Sequence, residues 1–397
     1  MDPTREEVMV QLSLIDQALQ AAVDRGDVPG VVAMAATPAG LVYQGAFGRR
    51  SLPDGAAMTP DTVFWIASMT KAITSAAAML LVEQGRLALD RPIADILPEL
   101  AAPHVLEGFD AAGEPRLRPA RRPITLRHLI THTAGFVYDI WSPEMGRYME
   151  KKGIPGIISC QNAALDLPLT FDPGDRWDYG INIDWVGKAV ERVSGQTLGD
   201  YFAEHLFGPI GMTDTGFRLT PEHRARLAGM HARGANGTLE PIAFELPQEP
   251  EFQMGGGGLY GTAADYLAFQ RLFLNAGRAD GRQVLSPQTV RLMSENAIGA
   301  LEVQLLRTAV PAYSNDAEFF PGMVKKWGLG FMISTAQVPG VRSPGSLAWA
   351  GLGNTYFWID PAKGVAGVIL MQMIPFADPK ALALFVAFEK ALYTGLA

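Results

Sequence analysis

The chain has 397 residues, 48% apolar and 19% charged, a balance that excludes an intrinsically disordered protein and fits a globule with one large core or two joined ones. Lys and Arg total 33 against 41 Asp and Glu, and the formal charge of −8 predicts no nucleic-acid partner and no attraction to an anionic membrane. The single cysteine, Cys160, excludes an internal disulfide and a cysteine-based zinc site, and reads as an ordinary structural thiol.

The first residues are acidic, with no basic stretch leading into an apolar one, so no secretory signal is expected. No window is long enough to span a bilayer, and a cytoplasmic protein is expected. Val8, Leu12, Ile15, Leu19 and Val23 recur at helical spacing over 4–25, with Thr4 as N-cap and Gly26 as stop. Two strand-like runs, 31–37 and 41–47, flank Pro38-Ala39-Gly40 and predict a hairpin. A helix is predicted over 68–84, ending at Gly85. From 86 to 254, Pro, Asp and Arg become frequent and β-branched runs scarce, and helices are predicted at 126–132 and 183–193. The glycines at 255–258 read as flexible backbone beside a cleft, followed by a helix over 262–274. Strand signals return at 327–334, 346–350, 354–359 and 365–373, and a helix over 379–393 closes the chain.

This order predicts an α/β fold of the α+β type. An antiparallel sheet is built from both chain ends and flanked by helices, with 1–85 and 255–397 forming the α/β domain and 86–254 a mainly helical one. The cleft between them is the expected place for a site.

Ser68-Met69-Thr70-Lys71 is an S-x-x-K at the start of the helix predicted over 68–84. Residues three apart share a helix face, so Lys71 lies over Ser68. A helix N-terminus disfavours a cation and burial disfavours it further, and both lower the lysine pKa. A neutral amine beside a serine hydroxyl is a workable general base. The alternative is that Ser68 only caps the helix and Lys71 is solvated. Tyr179 follows the Pro173-Gly174 turn and precedes a helix, where its phenol can relay a proton or simply sit half-buried. Trp349-Ala350-Gly351-Leu352 is a strand end where glycine permits close approach, and backbone amides there can face a substrate oxygen. His128 and His132 have the i, i+4 spacing of a zinc pair, but Leu129 stands where a metalloprotease needs its glutamate, so structural histidines are favoured. No G-x-S-x-G occurs, and 255–258 lacks the setting of a dinucleotide loop. Arg121-Arg122 and Lys325-Lys326 read as solvated charge.

Taken in order, Ser68-x-x-Lys71, Tyr179 and Trp349-Ala350-Gly351 resemble the serine β-lactamase and penicillin-binding-protein superfamily. More closely, they resemble the family VIII carboxylesterases, the esterase branch related to class C β-lactamases. The likeness covers nearly the whole chain, supported by Leu129-Ile130-Thr131-His132-Thr133-Ala134-Gly135, Phe207-Gly208-Pro209-Ile210-Gly211-Met212 and Trp327-Gly328-Leu329-Gly330-Phe331. Two departures stand out. The Tyr-x-Asn of the lactamase branch is broken, with Ile181 in place and Asn182 one residue late, and its Lys-Thr/Ser-Gly is replaced by Trp349-Ala350-Gly351.

The resemblance implies a β-lactamase-like fold with Ser68 as nucleophile and Lys71 and Tyr179 as general base and acid. It further implies the amides of Ser68 and Leu352 as oxyanion hole, and Tyr138, Trp349, Ala350 and Gly351 in substrate binding, with Trp141 nearby. No metal or organic cofactor is implied. The expected partner is a small-molecule ester, hydrolysed through an acyl-serine and short in its acyl chain, because Tyr138 and Trp349 would crowd the cleft. The same machinery could instead transfer the acyl group or open a β-lactam, and a non-turnover acylated sensor is a further alternative.

Overall fold

The structure, a computed structural model, describes residues 5–396 and the side chains of 13–395; the expected cap at Thr4 lies outside the described residues. Helix α1 (Arg5–Asp24) leads into strands β1 (Gly30–Thr37) and β2 (Gly40–Gly48), the predicted hairpin. A single 3₁₀ turn, Ala67–Met69, precedes helix α2 (Thr70–Glu83). Helices α3 (Leu126–Ile130) and α4 (Asn182–Ser194) occupy the middle of the chain, and α5 (Ala263–Leu274) follows the glycine run. The late strands are β3 (Lys325–Trp327), β4 (Met332–Ser334), β5 (Leu347–Gly351), β6 (Thr355–Asp360) and β7 (Val365–Leu370), before helix α6 (Pro379–Leu396).

The main sheet runs β3-β4-β5-β6-β7-β1-β2 with every neighbour antiparallel. The two chain ends meet where β7 pairs with β1, Val32 opposite Leu370 and Met34 opposite Val368. Alternate side chains of a strand point to opposite faces. On β6, Tyr356 and Trp358 pack on Phe385 and Phe388 of α6, while Phe357 meets Tyr266 of α5. The sheet is therefore covered on both faces, and each fully buried aromatic contributes about 1.5–3 kcal/mol. Helix α2 is buried along Thr70–Leu81, as an all-round apolar helix must be, and packs on α4.

Three expectations are corrected. The predicted strand at 327–334 is a hairpin, β3 and β4, because Gly328 and Gly330 bend the chain between them. The helix predicted at 126–132 stops at Ile130, and His132 takes a left-handed φ of 58°. The stretch 86–254 also carries β structure. His104–Phe109 pairs with Pro115–Pro119, and His231–Arg233 joins Leu239–Pro241 and Met373–Ile374 in a small sheet. The prolines and charges of these short strands hid their alternation.

Candidate active site

Ser68 lies in the turn before α2 and does not cap it; the helix has no side-chain cap. Ala67 before it holds a left-handed φ of 45°, a conformation that costs a non-glycine residue about 1–3 kcal/mol. Strand β5 ends against this turn. A Cβ at Gly351 would overlap the Ile66 carbonyl, so the close approach read from the sequence is real. Lys71 is fully buried, and its Nζ donates to Ser68 Oγ at 3.1 Å, to Tyr138 OH at 3.0 Å and to the Gly256 carbonyl at 2.5 Å. The solvated-lysine alternative is thereby removed.

Burial holds the Lys71 ammonium below its ordinary pKa, and the negative charge of Asp184 pulls it partly back. Burial likewise raises Tyr179, while hydrogen bonds from Ser68 and Trp349 act the other way. The Tyr138 phenol is pushed well up by burial and then by Asp184. Both phenols are therefore neutral at ordinary pH. The Lys71 Nζ lies 4.7 Å from the Tyr179 ring centroid, which adds a cation–π attraction whenever the amine is charged.

Two groups of the site carried no signal in the sequence reading. Asp184 sits fully buried on α4, and its Oδ1 accepts the Gly256 N–H at 2.8 Å. Gly256 in turn holds Lys71, so residues 255–258 are a buried strap and not flexible backbone. A Cβ at Gly256 would come within 2.5 Å of Asp184 Oδ2. The available clue was an acid at i with Gly187 at i+3 on α4, a helix face open to close backbone approach.

Ser68 opens on a cavity of about 570 Å³ walled mainly by apolar side chains, among them Ile140, Trp141, Ile157 and Met254. Tyr138 and Leu352 share that wall. Ser68 and Leu352, whose amides are the expected oxyanion hole, both line this cavity. Trp349, Ala350 and Gly351, expected to contact substrate, do not line the cavity. The Trp349 indole is buried among Trp177, Tyr179, Phe319 and Trp327 and donates to Tyr179 OH at 2.9 Å. Ala350 faces Tyr356 in the ladder, and Gly351 is taken up by its contact with Ile66.

The histidine pair is not brought together on one helix. His128 Nδ1 accepts the Thr125 N–H in a capping box, whereas His132 lies beyond the helix with Nδ1 against the Asn182 amide. No group of three His, Cys, Asp or Glu side chains suited to a metal occurs among the described residues. Among the same residues, no helix is long and apolar enough to cross a membrane.

The family described as Beta-lactamase matches residues 15–388. Monacolin J acid methylbutanoyltransferase of Aspergillus terreus is 36% identical, the match covering 96% of this chain and 95% of that protein. Lovastatin esterase of Penicillium rubens is 33% identical over 91% of this chain and 92% of its own. Among solved structures, a mutant of simvastatin synthase from Aspergillus terreus superposes with a TM-score of 0.85, at 32% identity and 97% coverage of both chains.

Proposed function

Because the chain belongs to the beta-lactamase family, we propose that it is a serine acyl-transfer enzyme that takes an acyl group from a carboxylic ester and passes it to a hydroxyl acceptor or to water. The observation that carries this reading is the buried Lys71, 3.1 Å from a Ser68 hydroxyl that opens on an apolar cavity.

In the first step neutral Lys71 takes the Ser68 proton as Oγ attacks the ester carbonyl. The Ser68 and Leu352 amides stabilise the oxyanion. Tyr179, whose phenol is hydrogen-bonded with Ser68, protonates the departing alkoxide and regains a proton from the Lys71 ammonium, whose Nζ lies 4.7 Å from its ring. The acyl-serine is then attacked by an alcohol or water, its proton leaving by the same groups. Ester hydrolysis, the family VIII activity, is this sequence with water as acceptor.

The cavity revises the short-chain expectation. Trp349 does not crowd it, and about 570 Å³ suits a drug-sized partner. The fitting substrate class is an ester joining a modest acyl group to a bulky, mainly apolar alcohol. Relatives named for methylbutanoyl transfer to monacolin J acid and for lovastatin ester cleavage support this. To test it, an aryl butanoate is incubated with rising concentrations of a polycyclic alcohol. New ester should form at the expense of free butanoate, and no acyl release from any ester would overturn the proposal.

A further inference from the structure

The charges around the cavity are unequal. Two acids, Asp139 and Glu245, line it, and no Lys or Arg does. Glu245 is neutralised by a two-pronged pair with Arg224, at 2.5 and 2.8 Å. Asp139 has no ion pair among the described residues; burial raises its carboxyl, and hydrogen bonds from its own backbone and that of Ile140 act the other way. It follows Tyr138 directly in the chain, so a carboxylate with no cationic partner among the described residues stands beside the phenol that Lys71 holds. The whole chain carries −8, which adds to the same sign of field.

We infer that Asp139 makes this cavity select substrates by charge, favouring an ester or acceptor alcohol that bears a cationic group and rejecting one that bears a carboxylate, which would set this chain apart from the relative named for an acid acceptor. This rests on the acyl-transfer reading of the same cavity. A carboxylate entering the cavity would be desolvated against Asp139 with no cation to receive it, whereas an ammonium group would gain a partner. The charge acts on whichever part of the substrate occupies the Asp139 wall.

The test uses three thioesters of butanoate that differ only in the charge of the thiol part. Butanoylthiocholine is cationic, the 3,3-dimethylbutyl thioester is its neutral isostere, and the thioester of 4-mercaptobutanoate is anionic. Released thiol gives kcat/KM for each. The cation should exceed the anion by about ten-fold or more at low salt, with most of the difference in KM, and the ratio should shrink as salt rises. In Asp139→Asn the ratio should fall to within about two-fold, while Asp139→Glu, which keeps the charge, should retain the preference. A wild-type ratio near one, a preference for the anion, or a ratio unchanged in Asp139→Asn would overturn the inference. Turnover of the neutral thioester shows separately whether the acyl-transfer reading stands, since that reading fails only if none of the three is cleaved.

Discussion

The Trp349 indole N–H points at the phenolic oxygen of Tyr179, 2.9 Å away, with both rings out of solvent. Trp349 thus supports Tyr179, the proposed proton carrier, and does not line the cavity. Trp349→Phe keeps an aromatic ring but removes the donor. A neutral hydrogen bond is worth about 0.5–1.5 kcal/mol net, so kcat should fall about 3- to 10-fold. KM and the ranking of esters by size should hardly move. Steady-state kinetics on an ester series checks this, and a changed KM with kcat intact would place the indole in the substrate site after all.

Lys71 and Tyr179 are read as one proton relay around Ser68. Lys71→Ala and Tyr179→Phe should each lower kcat by several powers of ten, and the double variant should be little worse than the worse single. Groups acting as a unit are non-additive in this way. Fully multiplicative losses in the double-mutant cycle would show two independent roles.

The pH profile bears on Asp184. The proposed base Lys71 can work only when neutral, so activity should be lost as pH falls through its pKa, which burial has lowered and Asp184 partly restored. The other titratable groups near Lys71 are Tyr138 and Tyr179, raised by burial, and His132, lowered by it, so all three stay neutral near pH 7. Asp184→Asn removes the charge that raises Lys71, and the acid limb of kcat/KM should move to lower pH. A limb that stays in place or moves upward would contradict the electrostatic role. Gly256→Ala should instead lower stability, by about 1–3 kcal/mol, through its overlap with Asp184, and a denaturant titration reads this.

The contact of Lys71 with Ser68 was legible in the sequence because it is local. The S-x-x-K spacing places Lys71 one turn from Ser68 wherever the backbone is helical, as it is from Ser68 onward. The sheet was legible because its strands are apolar runs cut by turn residues, and their assembly from both ends followed from element order. What stayed hidden depended on which chain segments meet in space. Asp184 on α4 touches a glycine strap 72 residues later, and the small Gly187 one turn on marks only a face open to close approach, not its partner. The surroundings of Trp349 stayed hidden for the same reason. Its place at the end of a strand was readable, but its side chain packs among Trp177 and Trp327, which arrive from distant segments.

Choice of substrate class can be checked against β-lactams. A charge-assisted hydrogen bond to a substrate carboxylate is worth about 1.5–3 kcal/mol. No basic side chain lines this cavity to supply one. Aryl esters should therefore exceed cephalosporins in kcat/KM by about two decades or more. Equal or greater efficiency on cephalosporins in a parallel panel would move the chain to the lactamase branch.

The central claim is a covalent acyl group on Ser68, and intact-protein mass spectrometry tests it most directly. Wild-type protein mixed briefly with an aryl butanoate and quenched in acid should gain the mass of one butanoyl group, mapped by peptide digestion to Ser68, and the folded Ser68→Ala protein should gain none. An adduct on another residue, or full turnover by folded Ser68→Ala, would contradict it.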